Sequence, residues 1–176
     1  DLRAGSLAYC QVAQGMTDQV VGSRDLAHEV AVAEVYRLPP ARICVSVFRD
    51  DDESLEIWRD TVGVPEARIF RMGEADNFWA SGPTGPCGPC TELYFDFHPE
   101  RGLEGADLED GTRFVEFYNL VFMQYAITNV RSKLDFDIVG DLPQKNIDTG
   151  MGLERVAFLK QGVENMYETD QVRPVL

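Results

Sequence analysis

The segment RFVEFYNLVFMQY, residues 113–125, constrains the fold of this chain more than any other stretch. Its residues alternate between the two faces of a β-strand, and large apolar side chains fall on both faces. A strand of this kind is typical of a sheet that is covered on both sides. One face carries Val115, Phe117, Asn119, Val121 and Met123. Asn119 is therefore a polar side chain on an apolar face, and it needs either a hydrogen-bond partner in the core or a ligand.

Further helices and strands are predicted on either side of this segment. The chain of 176 residues is 44% hydrophobic, which is enough for one core. Residues 1–22 show no clear period and stay unplaced, whereas residues 23–176 are predicted to belong to one domain. Strands are predicted at residues 41–48, 66–72, 92–97 and 145–150, and helices at residues 23–38, at residues 50–62 and after the last strand.

The charge and the cysteine content narrow the class of protein. A net charge of −14 repels phosphate backbones, so this piece alone is not expected to hold nucleic acid strongly. No apolar run is long enough to predict a membrane-spanning helix. Four cysteines without secretory features indicate reduced thiols, as in an intracellular protein.

The segment SGPTGPCGPC, residues 81–90, contains two cysteines at the spacing of metal ligands. A structural zinc site needs four ligands, and the other two cysteines and two histidines do not supply a second pair. A thioredoxin-like redox pair would lie between a strand and a helix, but here a strand is predicted to follow. Glycines and prolines favour a stiff loop that brings backbone close to a ligand. We therefore expect a rigid loop without structural zinc, with the metal and redox sites as alternatives.

The segment KNIDTGMGLERVAFLKQG, residues 145–162, predicts a short strand that runs through a glycine turn into a helix. Asn146, Asp148 and Gly150 share one face of this strand. The glycines of the turn let the backbone approach a ligand closely. Arg155 falls in the first turn of the helix, where the dipole disfavours a cation unless an anion or an aromatic plane recruits it.

Several stretches occur here in an order that is typical of one enzyme family. These stretches are, in order, NFW with TGPCGPCTELYFD, FVEFYNLVFMQY, KNIDTGMGLERVA and YETD. They resemble the catalytic domain of alanine–tRNA ligases, and the resemblance runs from about residue 38 to the end. DTGMGLERV is similar to motif 3 of the class II aminoacyl-tRNA synthetases. The resemblance implies an α+β fold in which helices flank an antiparallel β-sheet. It also implies that alanine is activated with ATP and then transferred to tRNA.

The resemblance implies five residues for the alanine side of the site. Trp79 would form a wall of the pocket, Val121 would touch the substrate methyl group, and Gly150 would leave room for that methyl group. Asp148 would pair with the substrate ammonium group through a charge-assisted hydrogen bond. Asn119 would make a second polar contact with the amino acid.

On the ATP side, the resemblance implies Gly152 and Arg155 as binding residues, with Mg²⁺ arriving on the nucleotide. Arg155 would stack on adenine or meet the phosphates. Glu116 alternates onto the strand face opposite Asn119, so we do not expect it to bind magnesium directly. No residue is implied as a nucleophile or base, and catalysis would come from positioning and charge stabilisation at the α-phosphate.

The remaining expectations concern the whole protein. The implied partners are L-alanine, ATP and tRNA(Ala), with a homodimer as the candidate assembly and a cytoplasmic, plastid or mitochondrial location. Motif 1 and the phosphate-binding part of motif 2 are not found upstream, so we expect an incomplete fold and an inactive isolated chain. The strand at residues 113–125 would then keep an unpaired edge. Residues 126–136 depart from the family pattern, and a non-catalytic remnant or interaction module is the alternative function.

Overall fold

The computed structural model of the chain describes residues 36–176. The unplaced segment 1–22 and most of the helix predicted at residues 23–38 lie outside the described residues. Within residues 36–176, no helix is both long enough and apolar enough to cross a membrane.

Six strands form one sheet. They are β1 (Ile43–Phe48), β2 (Ile69–Met72), β3 (Phe78–Ala80), β4 (Gly85–Asp96), β5 (Phe114–Ser132) and β6 (Asp135–Met151). Their order is β2–β1–β4–β5–β6, with β3 attached to β4 beside this path. β1 and β2 run parallel, and every other pair is antiparallel. The antiparallel sheet implied by the resemblance is therefore confirmed, with one parallel pair at its edge.

Helices flank the sheet as the resemblance implied. They are α1 (Asp52–Glu56), which continues as the π-helical turn Ile57–Val62, α2 (Glu74–Asn77) and α3 (Leu153–Gln161). Asp51 caps α1 by accepting a 3.1 Å hydrogen bond from the Ser54 backbone N–H. Gly162 ends α3 in the left-handed conformation.

The main core packs α1, its π-helical turn and α3 against one face of the sheet. Trp58 of the turn and Val156 of α3 are buried in one cluster with Val45 and Leu93 of the sheet. The Trp58 indole Nε1 donates a 3.0 Å hydrogen bond to the Thr91 hydroxyl, which satisfies the polar end of a buried aromatic side chain. Cys44 and Tyr94 alternate with these strand residues and belong to a second, smaller buried cluster, which covers part of the other face. The rest of that face is available for a site.

The prediction of a rigid loop around the two cysteines is wrong for most of residues 81–90, because β4 begins at Gly85. The prolines of this segment suggested a loop, but their fixed φ also suits extended backbone. The pairing of β4 with β5 shifts register between Cys87 and Cys90, and such a bulge tolerates residues that lack an N–H. A Cβ at Gly88 would lie 1.9 Å from the Phe122 carbonyl oxygen, so this position requires glycine.

β5 and β6 form a long hairpin that the sequence did not predict. The strand predicted at residues 145–150 starts already at Asp135, and β5 runs on to Ser132. Residues 126–136 are therefore the end of the hairpin, with its turn between the two strands. β5 pairs with β4 on one side and β6 on the other, so the unpaired edge predicted for residues 113–125 is wrong.

Candidate active site

The candidate site lies on the sheet face opposite the main core, where the strand register aligns polar residues. Asn119 of β5 lies between Glu92 of β4 and Gly150 of β6. Two residues further along β5, Val121 lies opposite Asp148 of β6. Directly opposed side chains on one face of an antiparallel sheet have Cβ atoms about 5 Å apart. The hairpin therefore brings together residues that are far apart in sequence.

A cavity of about 360 Å³ opens on this face. It brings together every residue that the resemblance implied for the site. Glu116, Thr149 and Glu154 also line the cavity, whereas Asn146 does not. The implied residues that line it are Trp79, Asn119, Val121, Asp148, Gly150, Gly152 and Arg155.

Asp148 and Asn119 are two polar residues of this cavity. One Asp148 carboxylate oxygen accepts a 2.8 Å hydrogen bond from the Thr149 backbone N–H, and the side chain is exposed to the cavity. The Asn119 amide oxygen is buried and has no hydrogen-bond partner among residues 36–176. A buried acceptor without a partner is costly, so a ligand N–H at this point would relieve the cost.

The glycines of the β6–α3 junction differ in what surrounds them. A Cβ added at Gly150 would have no atom within 4 Å, so this glycine leaves open space in the cavity. A Cβ added at Gly152 would lie 2.9 Å from the Arg155 Cδ, so this glycine allows the Arg155 side chain to fold back over the junction. The Gly152 N–H donates a 3.1 Å hydrogen bond to the Phe117 carbonyl.

Glu116 lies on the same face as Asn119, and the prediction that it faces away is wrong. The β4–β5 pairing shifts register between Leu93 and Tyr94, which leaves Phe117 as an extra residue on β5. Simple alternation fails across such a bulge. Glu116 consequently lines the cavity.

Arg155 is held at the cavity by Glu116. Its Nη1 donates hydrogen bonds to the Glu116 backbone oxygen at 2.6 Å and to the Glu116 carboxylate at 3.1 Å. Arg155 lies in the first turn of α3, as predicted, and the anion that recruits it in this structure is a carboxylate of the chain itself.

Glu92 is a buried carboxyl group beneath the site that the sequence reasoning missed. Burial is the main cause that raises the pKa of Glu92 to about 7. A 2.7 Å hydrogen bond from the Tyr94 hydroxyl lowers this pKa, whereas the charges of Glu116 and Asp76 raise it. The available signal was a lone acidic residue within the apolar strand pattern TELYF.

The two cysteines that opened the metal and redox alternatives are buried free thiols. Burial raises the pKa of Cys87 and of Cys90, which disfavours the thiolate that redox chemistry and metal binding require. Within the described part of the chain, no three His, Cys, Asp or Glu side chains are grouped as metal ligands.

Residues 24–176 match one family of known proteins, the class II tRNA synthetases (A). The chain belongs to this family. The match covers all of the described residues, including every residue that lines the cavity.

Three relatives illustrate the similarity. The alanine–tRNA ligase of Paenarthrobacter aurescens (strain TC1) is 62% identical over 141 residues, which is 80% of this chain and 16% of the relative. The probable chloroplastic/mitochondrial alanine–tRNA ligase of Ostreococcus tauri is 62% identical over 153 residues, 85% of this chain and 15% of the relative. The chloroplastic/mitochondrial alanine–tRNA ligase of Populus trichocarpa is 59% identical over 150 residues, 85% of this chain and 14% of the relative. The chain thus spans only a small part of the length of these relatives.

Proposed function

We propose that this chain is part of the catalytic domain of an alanine–tRNA ligase. The full-length protein would activate L-alanine with ATP to alanyl-adenylate and transfer the alanyl group to tRNA(Ala). The names of the relatives support this proposal. The observation that carries it is the convergence of Asp148 and the unpartnered Asn119 oxygen beside Trp79 and Val121 in one cavity.

The amino-acid side of the cavity suits a small substrate with a positive charge. The ammonium group of alanine would lie between the Asp148 carboxylate and the Asn119 amide oxygen, which accept its hydrogen bonds. Its methyl group would contact Val121 and occupy the open space above Gly150. Trp79 would close this side, so that a larger side chain meets a wall.

The ATP side is proposed at the start of α3. The positive end of the α3 dipole and the Arg155 guanidinium both favour a phosphate group there. Gly152 would let the nucleotide approach the backbone closely. When ATP binds, Arg155 would exchange its hydrogen bonds to Glu116 for hydrogen bonds to the nucleotide, and the guanidinium would hold the phosphates or stack on adenine.

Mg²⁺ would accompany ATP, because this ion is held mainly by phosphates and water with one or two carboxylates. Glu116 and Glu154 supply carboxylates at the cavity, so the donors present fit such an ion. When bound, the ion neutralises charge on the phosphates. In the full-length protein, the substrate carboxylate would be held in line with the α-phosphate, so that its oxygen bonds to the α-phosphorus as the bond from that phosphorus to pyrophosphate breaks.

Other properties of the full-length protein are part of this proposal. The net charge of −14 does not favour a phosphate backbone, so tRNA(Ala) would be held mainly by other regions. We propose a homodimer as the assembly. The relatives include bacterial and chloroplastic/mitochondrial proteins, and we propose a cytoplasmic location, with plastid or mitochondrion as the alternative.

ATP–pyrophosphate exchange by the full-length protein, with each standard amino acid in turn, tests the proposal. We expect the fastest exchange with alanine. Glycine and serine should give slower but measurable exchange, because one methyl or hydroxyl group changes binding by only about 1–3 kcal/mol. Faster exchange with an unrelated amino acid would refute the substrate. ATP binding without any exchange would indicate the non-catalytic remnant instead.

A further inference from the structure

We propose that Phe136 and Lys133, at the turn between β5 and β6, are positioning residues that hold the Trp79 wall of the pocket. The inference rests on the proposed function, in which Trp79 closes the amino-acid side. It assigns a role to residues 126–136, the segment that departs from the family pattern.

The strand that carries Trp79 is weakly supported by its own backbone. β3 contains only three residues and pairs with β4 alone among the described strands, with Trp79 opposite Gly88. A three-residue strand with one partner makes few ladder hydrogen bonds, so side-chain contacts must fix its position.

Phe136 supplies one of these contacts through the neighbour of Trp79. The Phe136 ring stacks on the Phe78 ring with centroids 5.9 Å apart and an interplanar angle of 22°. On the sheet, Phe48 meets Phe78 edge to face at 5.7 Å. Phe78 is thus in contact with both the sheet and the hairpin turn, and each aromatic pair adds attraction beyond the area that it buries.

Lys133 supplies a second contact just before β3. Its Nζ donates a 2.5 Å hydrogen bond to the Ala75 carbonyl of α2, the helix that leads directly into β3. At the end of α2, the Asn77 amide donates to the Ser46 hydroxyl at 2.8 Å and to the Cys90 carbonyl at 2.9 Å. Asn77 anchors this segment to the sheet, while Lys133 and Phe136 tie it to the turn.

These contacts act on the amino-acid side of the cavity and not on the ATP side. Trp79 follows Phe78 directly, whereas Arg155 is held by Glu116 and makes no hydrogen bond or ion pair with the turn. Loss of the turn contacts should therefore weaken alanine binding selectively. Serine, which is larger than alanine, should be rejected less well when the Trp79 wall is loose.

The first test measures exchange kinetics of the full-length protein carrying Phe136→Ala or Lys133→Met. We expect the KM for alanine to rise about 3- to 10-fold, which is the loss of one aromatic pair or one hydrogen bond. The KM for ATP should stay unchanged, and the preference for alanine over serine should fall. Phe136→Tyr, which keeps the ring, should restore the wild-type values. The matched control is Leu134→Ala, because Leu134 lies in the same turn and is 53% exposed.

Equal effects of Phe136→Ala and Leu134→Ala, or equal rises in the KM for alanine and for ATP, would overturn the proposal. A wild-type protein that activates no alanine would refute the proposed function instead. In that case acrylamide quenching of tryptophan fluorescence still tests the inference. Phe136→Ala should increase quenching, and this increase should vanish in a Trp79→Phe background. Unchanged quenching in Phe136→Ala would overturn the positioning role irrespective of activity.

Discussion

Gly150→Ala is expected to impair alanine activation without destabilising the fold. A Cβ at Gly150 would meet no atom within 4 Å, and the backbone there does not have a positive φ. The folded chain should therefore accept alanine at this position with little change in the free energy of unfolding. The new methyl group would instead project into the cavity, where the substrate methyl group is proposed to lie.

The expected effect depends on the substrate. Forcing an extra methyl group into an occupied space costs about 1–3 kcal/mol, which corresponds to a roughly 5- to 150-fold loss of kcat/KM for alanine. Glycine has no methyl group to compete for the space, so its kcat/KM should fall much less. The ratio of alanine to glycine activation should therefore drop several-fold or more, up to about 100-fold.

The assay is ATP–pyrophosphate exchange with alanine and with glycine, together with urea unfolding of the same variant. Gly111→Ala is the matched control, because a Cβ there also meets open space but lies outside the cavity. An unchanged alanine-to-glycine ratio in Gly150→Ala would refute the placement of the substrate methyl group. A loss of activity that follows a loss of stability would refute the claim that the fold tolerates the change.

Three further predictions concern stability and the chain by itself. Gly88→Ala should lower the free energy of unfolding in urea by about 1–3 kcal/mol or more, since its Cβ would lie 1.9 Å from the Phe122 carbonyl oxygen. Glu92 has its folded-state pKa raised to about 7, so its neutral form stabilises the fold at low pH and this stability is lost as pH rises towards 7. Between pH 4.5 and 7, the ionisation of Glu92 should lower the free energy of unfolding of the wild type by on the order of 3 kcal/mol, and Glu92→Gln should abolish this decrease. The purified 176-residue chain should show no alanine-dependent exchange, because Arg155 is the one cation among the described residues of the cavity and a carboxylate already binds it.

Each of these predictions has an outcome that contradicts it. Equal unfolding midpoints for Gly88→Ala and Gly111→Ala would show that β4 does not need the close approach. If the pH dependence of the free energy of unfolding persists in Glu92→Gln, it arises from another titratable group. Robust exchange by the isolated chain, abolished by Asp148→Ala, would show that the described cavity suffices for catalysis.

The features that the sequence predicted correctly depend on local patterns. The helix predicted at residues 50–62 is observed as α1 and its π-helical turn, and the strand predicted at residues 41–48 is observed as β1. The residues of the cavity came from the resemblance to a family, since no local rule brings Asp148 of β6 next to Val121 of β5.

The features that the sequence missed depend on pairing between distant strands. The bulge at Phe117 reverses the alternation that placed Glu116 on the wrong face, and its position is set by the partner β4. The glycine–proline segment is part of β4, where Gly88 permits the close approach of Phe122 of β5. The raised pKa of Glu92 comes from burial in the assembled sheet, which its immediate neighbours in sequence do not determine.

The most direct test of the central claim compares Asp148→Asn with Asp141→Asn in the full-length protein. Both residues lie on β6 and are exposed, and both changes remove one charge, but only Asp148 lines the cavity. Asp148→Asn should reduce kcat/KM for alanine in ATP–pyrophosphate exchange about 30- to 900-fold, because the ammonium group loses its counter-charge. This loss corresponds to on the order of 2–4 kcal/mol of transition-state stabilisation. Asp141→Asn should match the wild type. Equal alanine-dependent exchange by the two variants would contradict the assignment of this cavity as the alanine site.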